Sequence, residues 1–308
     1  MSGKLQDSLC NSCYVRRFPI KQYHFGSWVD NVYRQHMPED YCSMFRAGSG
    51  KELKKAAAVY SSSMLSYNLF HWISPESTFK YGGTIYNKVV FEVKIPTILK
   101  SPAPANMDVV LVSKDRSKWL MIESKFTEYV HRSSREMLNL SRGYSDLDRY
   151  FFNAKSKSAD IVRLIEDWYG EAKKSESEGE KKEYYDGIKQ LLCHIIAMKN
   201  LTDTSAHNAI TKKFLSQNPF LRDEFYRLRT IEFITLLFDP LPKFKDENSA
   251  YEDYKSLCDD FKEKVEAENI FSSFDVVPYS QMWNCMKGQI ESGLSEYLKD
   301  RYMQFAGA

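Results

Sequence analysis

The chain has 308 residues, with 43 Lys+Arg against 41 Asp+Glu and 43% hydrophobic residues. That length suits one large domain or two small ones and hides about 70–75% of the unfolded surface, while 13 Gly and 10 Pro exclude collagen, low complexity and global disorder. No apolar run reaches the ~18 residues of a membrane-spanning helix and Met1–Cys10 lacks a secretory apolar stretch, so the expectation is a cytoplasmic protein, off the membrane, with six reduced Cys.

A net charge of +2 neither demands nor forbids a polyanionic partner. The distribution is less even. Residues 1–55 carry nine Lys/Arg and five Asp/Glu, whereas residues 243–268 carry five Lys and nine Asp/Glu. A polyanion is therefore expected on the N-terminal side.

Residues 1–48 are irregular and rich in Arg and aromatics, and read as an extension packed on the main body, residues 49–308. Glu52 to Trp72 reads as one helix, since Leu53, Ala56, Ala57, Tyr60, Met64, Tyr67 and Leu69 fall near a 3.6-residue period. After Gly82-Gly83 comes a strand, Ile85 to Ile95, in which Phe91, Val93 and Ile95 alternate with Glu92 and Lys94. Met107–Ser113 and Trp119–Lys125 are β-rich runs joined by the polar Lys114-Asp115-Arg116-Ser117, which predicts an antiparallel hairpin. Residues 128–182 read as a polar, helix-prone insertion. An amphipathic helix is predicted from about Glu183 to Met198, with Ile188, Leu191, Leu192, Ile195 and Ile196 on its apolar face. Thr230–Phe238 and Phe274–Val277 are further strand candidates, before a C-terminal helix around Tyr279–Tyr302. The order predicts an α/β fold built on a central mixed β-sheet flanked by helices.

Hydrolysis of a phosphodiester needs carboxylates to hold a divalent metal, a group that orients water, and positive charge for the transition state. The hairpin offers that set. Asp108 opens the first strand, and Glu123 and Lys125 end the second. Two residues apart, Glu123 and Lys125 share one strand face, with Ser124 on the other. Asp108 and Glu123 both lie at the end distal to the turn.

The tripeptide alone carries little weight, because E-x-K starts at Glu52, Glu92, Glu123, Glu171 and Glu180. What distinguishes Glu123 is its place at the end of an apolar strand beside a second strand that opens with an acid. Glu76 with Glu92 and Lys94 is the rival set, and Glu76 has no strand to stand on. Glu92 itself is expected to face solvent on an amphipathic strand. The competing account of Asp108, Glu123 and Lys125 is an edge salt bridge beside a surface Asp. A charge cluster in an open cleft supplies little core energy, so changes at Asp108 or Lys125 are expected to leave the fold intact.

The run Asn106-Met107-Asp108-Val109-Val110-Leu111-Val112, followed fourteen residues after Asp108 by Glu123-Ser124-Lys125, resembles the core motif of the PD-(D/E)XK nuclease superfamily, with the proline displaced to Pro104. Gly50-Lys51-Glu52-Leu53, the run Tyr60–Asn68 and the run Tyr185–His194 are similar to uncharacterised restriction endonucleases common in Bacteroides-like bacteria. The resemblance spans roughly residues 48–240 and implies a restriction-endonuclease-like core. It also implies a Mg²⁺- or Mn²⁺-dependent DNA endonuclease of restriction or defence type, with RNA left open as substrate. Asp108, Glu123 and Glu52 would ligate metal, Lys125 would act on the attacking water, and Gln190 would point into the site from the helix behind. His194, one turn beyond Gln190, and Glu92 are secondary site candidates. Lys114, Arg116, Arg132 and Arg135 would touch phosphates. Many such nucleases dimerise to cut both strands, so a homodimer is compatible with this reading.

Two alternatives stay open. One is a non-catalytic nucleic-acid- or partner-binding module on the same fold. The other is a zinc-stabilised interaction protein, with Cys10 and Cys13 as half a site and His24, His36 or Cys42 supplying the rest. The default for that pair is two reduced thiols.

Overall fold

The structure is a computed structural model that describes residues 4–48, 52–100, 103–128, 149–151, 160–161, 163–164, 186–203, 207–267, 270–271 and 273–307. The insertion expected at 128–182 therefore lies almost wholly outside the described residues, as do Arg132 and Arg135.

Six strands form one sheet in the order β3-β4-β5-β6-β7-β8. They are β3 (Phe79–Tyr81), β4 (Thr84–Ile95), β5 (Ala105–Ser113), β6 (Lys118–Lys125), β7 (Thr230–Leu237) and β8 (Phe274–Pro278). β3 to β6 run antiparallel, and β6, β7 and β8 run parallel. The sheet is mixed, as the order of sequence elements predicts. β1 (Ile20–Lys21) and β2 (His24–Phe25) make a separate two-stranded ribbon. Both faces of the main sheet are covered, which is why Val109 to Val112 and Trp119 to Ile122 are continuous buried runs.

Pleating sorts the side chains. Val109 pairs with Ile122 and Phe91 with Val109, so Phe91, Val109, Ile122 and Ser124 share one face. That face packs on α2 (Glu39–Ala47) and α4 (Ser62–Phe70), where Phe45 stacks on Phe91 at 5.5 Å between ring centres. The opposite face carries Val110, Met121, Glu123 and Lys125 and is covered by α5 (Asp186–Thr202), the crossover between β6 and β7.

The helix expected over Glu52–Trp72 is broken. A single turn, α3 (Glu52–Lys55), gives way at Ala56–Ala58, and a new helix starts at Ser62. The N-terminal segment takes the carbonyls that would have continued the helix. Phe25 N–H donates to Ala57 O at 2.9 Å, and Asn31 Nδ2 donates to Ala56 O and Ala58 O, both at 2.8 Å. Ser61 then caps α4, its hydroxyl accepting from Met64 N–H at 3.3 Å.

The remaining helices are α1 (Lys4–Cys10), α6 (His207–Gln217), α7 (Arg222–Phe225), α8 (Lys245–Ala267), α9 (Tyr279–Met286) and α10 (Ser292–Arg301). α8 is 23 residues long and had shown itself in the sequence only as an acidic stretch. The C-terminal helix expected over Tyr279–Tyr302 is two helices, because Lys287–Glu291 turns the chain between them. α1 docks far along the sequence: Leu5 N–H donates to the buried Glu247 carboxylate at 3.0 Å. Arg301 is fully buried and bonds Asn31 Oδ1 at 3.1 Å and the Val59 carbonyl. These bonds tie the first sixty residues to α8 and α10.

Candidate functional site

β5 and β6 bring Asp108 beside Glu123, one step past Val109–Ile122, the last pair of their ladder. β4 and β5 likewise place Glu92 across from Asp108, between the Phe91–Val109 and Val93–Met107 pairs. Three carboxylates thus occupy one transverse row of the sheet. Lys125 follows Glu123 on the same face.

The geometry is tight. Lys125 Nζ lies 2.5 Å from Glu123 Oε1 and donates to Gln190 Oε1 at 2.8 Å. The Glu123 side chain is 1% exposed and that of Lys125 is 12% exposed. The sequence reading of an open cleft is therefore corrected: this ion pair lies under α5. Asp108 is half-buried, and its Oδ2 accepts from the Ser124 N–H at 2.7 Å. Burial raises the Asp108 pKa well above the usual carboxylate range, helped by the charges of Glu123 and Glu92 and opposed by Lys125. Burial pulls the Lys125 pKa down, but Glu123, Glu128 and Asp108 together outweigh it and the ammonium titrates above its ordinary value.

Glu92 corrects a second expectation. It is 5% exposed, not solvent-facing. Its φ is +54°, in the left-handed region that side-chain-bearing residues seldom enter. Asn106 Nδ2 donates to its carboxylate. Gly48 gives it room, because a Cβ there would sit 2.9 Å from Glu92 Oε2. Strict alternation places Glu92 among polar positions and carries no signal of this twist; the acid opposite Asp108 becomes visible only with the strand register.

His194 is fully buried on α5, with Nδ1 3.6 Å from Glu123 Oε2. Its pKa is lowered, first by burial and also by Lys125, against the pull of Glu123. On the other sheet face, Ser124 Oγ and the Tyr279 hydroxyl are 2.6 Å apart, which fixes the strand between Glu123 and Lys125 from behind. Tyr279 and Asn106 were not singled out by sequence, since neither belongs to a local pattern.

Of the predicted site residues, the structure brings together Asp108, Glu123, Lys125 and Gln190, with His194 and Glu92 beside them. Glu52 opens α3, and its side chain lies outside the described residues. Lys114 and Arg116 lie in the turn at the other end of the hairpin, more than one strand length from Lys125. Glu76 stays exposed in a turn held by Ser74, at 2.9 Å from its hydroxyl. Cys10 and Cys13 are free thiols, and Arg16 donates to Cys13 Sγ at 3.6 Å.

Among the described residues no three His, Cys, Asp or Glu side chains close a metal site by themselves. The donor set still suits a hard divalent cation. Two carboxylates crowd each other at Asp108 and Glu123, and Glu123 Oε2 is buried with no hydrogen-bond partner among the described residues. Mg²⁺ commonly binds through one or two carboxylates, so a two-acid site fits it.

A mixed sheet flanked by helices, with an acid row and a lysine beside it, defines an α/β protein with a restriction-endonuclease-like core. The chain belongs to the REase-ARP family, described as "Restriction Endonuclease associating with ARP", whose sequence model matches residues 26–303. That match takes in all six strands of the main sheet and the N-terminal segment from residue 26 onward. No curated protein and no solved structure matches the chain. Among the described residues no helix is long and apolar enough to cross a membrane.

Proposed function

We propose that this protein is a divalent-cation-dependent nuclease of the PD-(D/E)XK type that hydrolyses phosphodiester bonds in DNA. The observation that carries the reading is the convergence of Asp108, Glu123, Lys125 and Gln190 at one end of the β5–β6 hairpin. Four residues from three elements meet there, and a surface salt bridge would need only two.

Asp108 and Glu123 would hold Mg²⁺ or Mn²⁺, with Glu52 as a third acid. The cation, when bound, would supply Lewis-acid charge to a phosphoryl oxygen. The protein's own groups account for the rest. Water attacks phosphorus, the bond from phosphorus to the leaving oxygen breaks, and the water's protons pass to solvent and to the leaving oxygen. Lys125 is held over this position by Glu123 and Gln190, so it can orient the water and offset developing negative charge. Its raised pKa keeps it charged at neutral pH, which suits an electrostatic role better than that of a base. Ser124 and Tyr279 hold the strand in place from the other sheet face, and His194 lies beside Glu123. Lys114, Arg116, Arg132 and Arg135 are left for flanking phosphates. The family name agrees with a nuclease role on DNA and says nothing of metal.

The test is nicking and linearisation of a supercoiled plasmid, beside a structured RNA, with Mg²⁺, Mn²⁺ or EDTA. Cleavage that needs the cation and vanishes in Asp108→Asn supports the reading. Nucleic-acid binding without cleavage under any cation would leave the binding module as the function.

A further inference from the structure

With both faces of the main sheet covered, a large partner meets it only at its ends. One end carries the acid row and Lys125. The other carries the β5–β6 turn, residues 114–117, and the start of β7. These are joined where Ser117 O accepts the N–H groups of Arg229 and Thr230 at 2.7 and 3.1 Å. β6 separates the two ends by roughly 23 Å, at ~3.3 Å per residue.

Two segments about a hundred residues apart build a basic surface at this second end. Lys114, Arg116, Arg222, Arg227 and Arg229 are exposed, and none forms an ion pair among the described residues. Two of the acids nearby are committed: Glu224 pairs with Lys88 at 2.8 Å and Glu232 with Lys118 at 2.5 Å. Asp115 is folded back onto its own turn, accepting from the hydroxyls of Ser113 and Ser117 and from the Ser117 N–H. Asp223 is exposed. Five cations against Asp115 and Asp223 leave a local excess of three positive charges. Four of the five are Arg, although Arg makes up only 14 of the chain's 43 basic residues. The planar guanidinium fork matches phosphate oxygens better than an ammonium does.

A separate observation narrows the partner. Tyr226 is 62% exposed, the most of any large hydrophobic side chain among the described residues, and Phe220 is 36% exposed. Tyr226 directly precedes Arg227. Phe220 lies two residues before Arg222 and shares with Arg116 the lining of a cavity of about 500 Å³. An acidic protein would use the cations and leave the bare rings without a role. Cations interleaved with exposed rings suit a strand whose phosphates meet the charges and whose bases stack on the rings. A duplex hides its base faces, so the rings favour a single strand.

We propose that this end of the sheet holds single-stranded nucleic acid at a second contact, remote from the carboxylate row. Arg227, Arg229, Lys114 and Arg116 take its phosphates, and Tyr226 stacks on one of its bases. The contact is a matter of binding alone and stands whether or not the acid row cuts. It also gives a use to Lys114 and Arg116, which lie too far from Lys125 to touch the phosphate beside it.

Anisotropy of a labelled oligothymidylate across a salt series tests both parts, with the full chain in EDTA so that nothing is cut. The double variant Arg227→Ala, Arg229→Ala should bind more weakly. Its slope of log affinity against log salt should be lower by about 1.4, at ~0.7 per phosphate contact of a single strand. Tyr226→Ala should bind roughly 5–150-fold more weakly, and Tyr226→Phe as wild type, since stacking needs the ring and not the hydroxyl. All three side chains are exposed, so every variant should melt with wild type. If the arginine pair changes neither affinity nor slope, this end of the sheet is no nucleic-acid contact and is left for an acidic protein. If the slope falls but Tyr226→Ala binds as wild type, the ring does not stack and the single-strand assignment is wrong. A loss seen only with a duplex of equal length would overturn that assignment too. Plasmid cleavage by wild type reads the nuclease proposal separately, so the two can fail independently.

Discussion

Replacing Lys125 by Met removes the ammonium and keeps the length of the side chain. Lys125 Nζ is the positive charge against Glu123 Oε1, and both side chains are largely shut from solvent, 12% and 1% exposed. Without it, Glu123 faces Asp108 with no compensating charge, and Gln190 Oε1 loses its donor. Breaking a buried pair by removing one partner costs about 3–5 kcal/mol. At roughly 2 °C per kcal/mol for a chain of this size, the melting temperature in EDTA should fall by about 6–10 °C. Saturating Mn²⁺ should restore part of it, since a ligand at a hundred times its dissociation constant adds ~2.7 kcal/mol. Calorimetric titration should show Mn²⁺ binding retained or tightened, while cleavage drops on the order of 10²–10³. Thermal unfolding by circular dichroism, with and without Mn²⁺, reads the first effect and a plasmid time course reads the second. A Lys125→Met protein that melts with wild type in EDTA would refute the claim that this lysine compensates the acid row. So would one that binds no Mn²⁺.

The same electrostatics give Asp108→Asn the opposite sign. A carboxyl whose folded pKa is raised binds its proton more tightly folded than unfolded, so its contribution to stability is lost as pH rises above its ordinary value of about 4. In EDTA, Asp108→Asn should be more stable than wild type at pH 7 and no more stable at pH 3, with Mn²⁺ binding and cleavage gone; equal pH dependence in the two proteins would contradict the assignment. Glu92→Gln removes one of the charges that raise the Asp108 pKa, so Mn²⁺ affinity at pH 6 should be kept or improved; loss of Mn²⁺ binding would make Glu92 a ligand. Gly48→Ala puts a Cβ 2.9 Å from Glu92 Oε2 and 3.2 Å from the Phe45 carbonyl, and should cost about 1–3 kcal/mol, read as a lower midpoint in urea.

Local sequence determined the hairpin and the acid–acid–lysine set, because period-2 alternation and a four-residue polar turn fix which residues share a strand face. It also determined the mixed sheet, since a helix between two apolar runs forces a parallel crossover. The long-range decisions lay elsewhere. Glu92 reads as a polar position in its strand, and only the β4–β5 register sets it opposite Asp108 and buries it. The period of Glu52–Trp72 is helical throughout, yet the carbonyls of Ala56–Ala58 bond to a segment thirty residues earlier, and competition for those acceptors breaks the helix. The ion pair of Glu123 and Lys125 looked open because its cover, α5, is more than sixty residues away. Spacing within an element is a property of neighbouring residues and can be read from the chain. Burial, backbone twist and charge coupling depend on what folds over that element, and only the packed structure decides them.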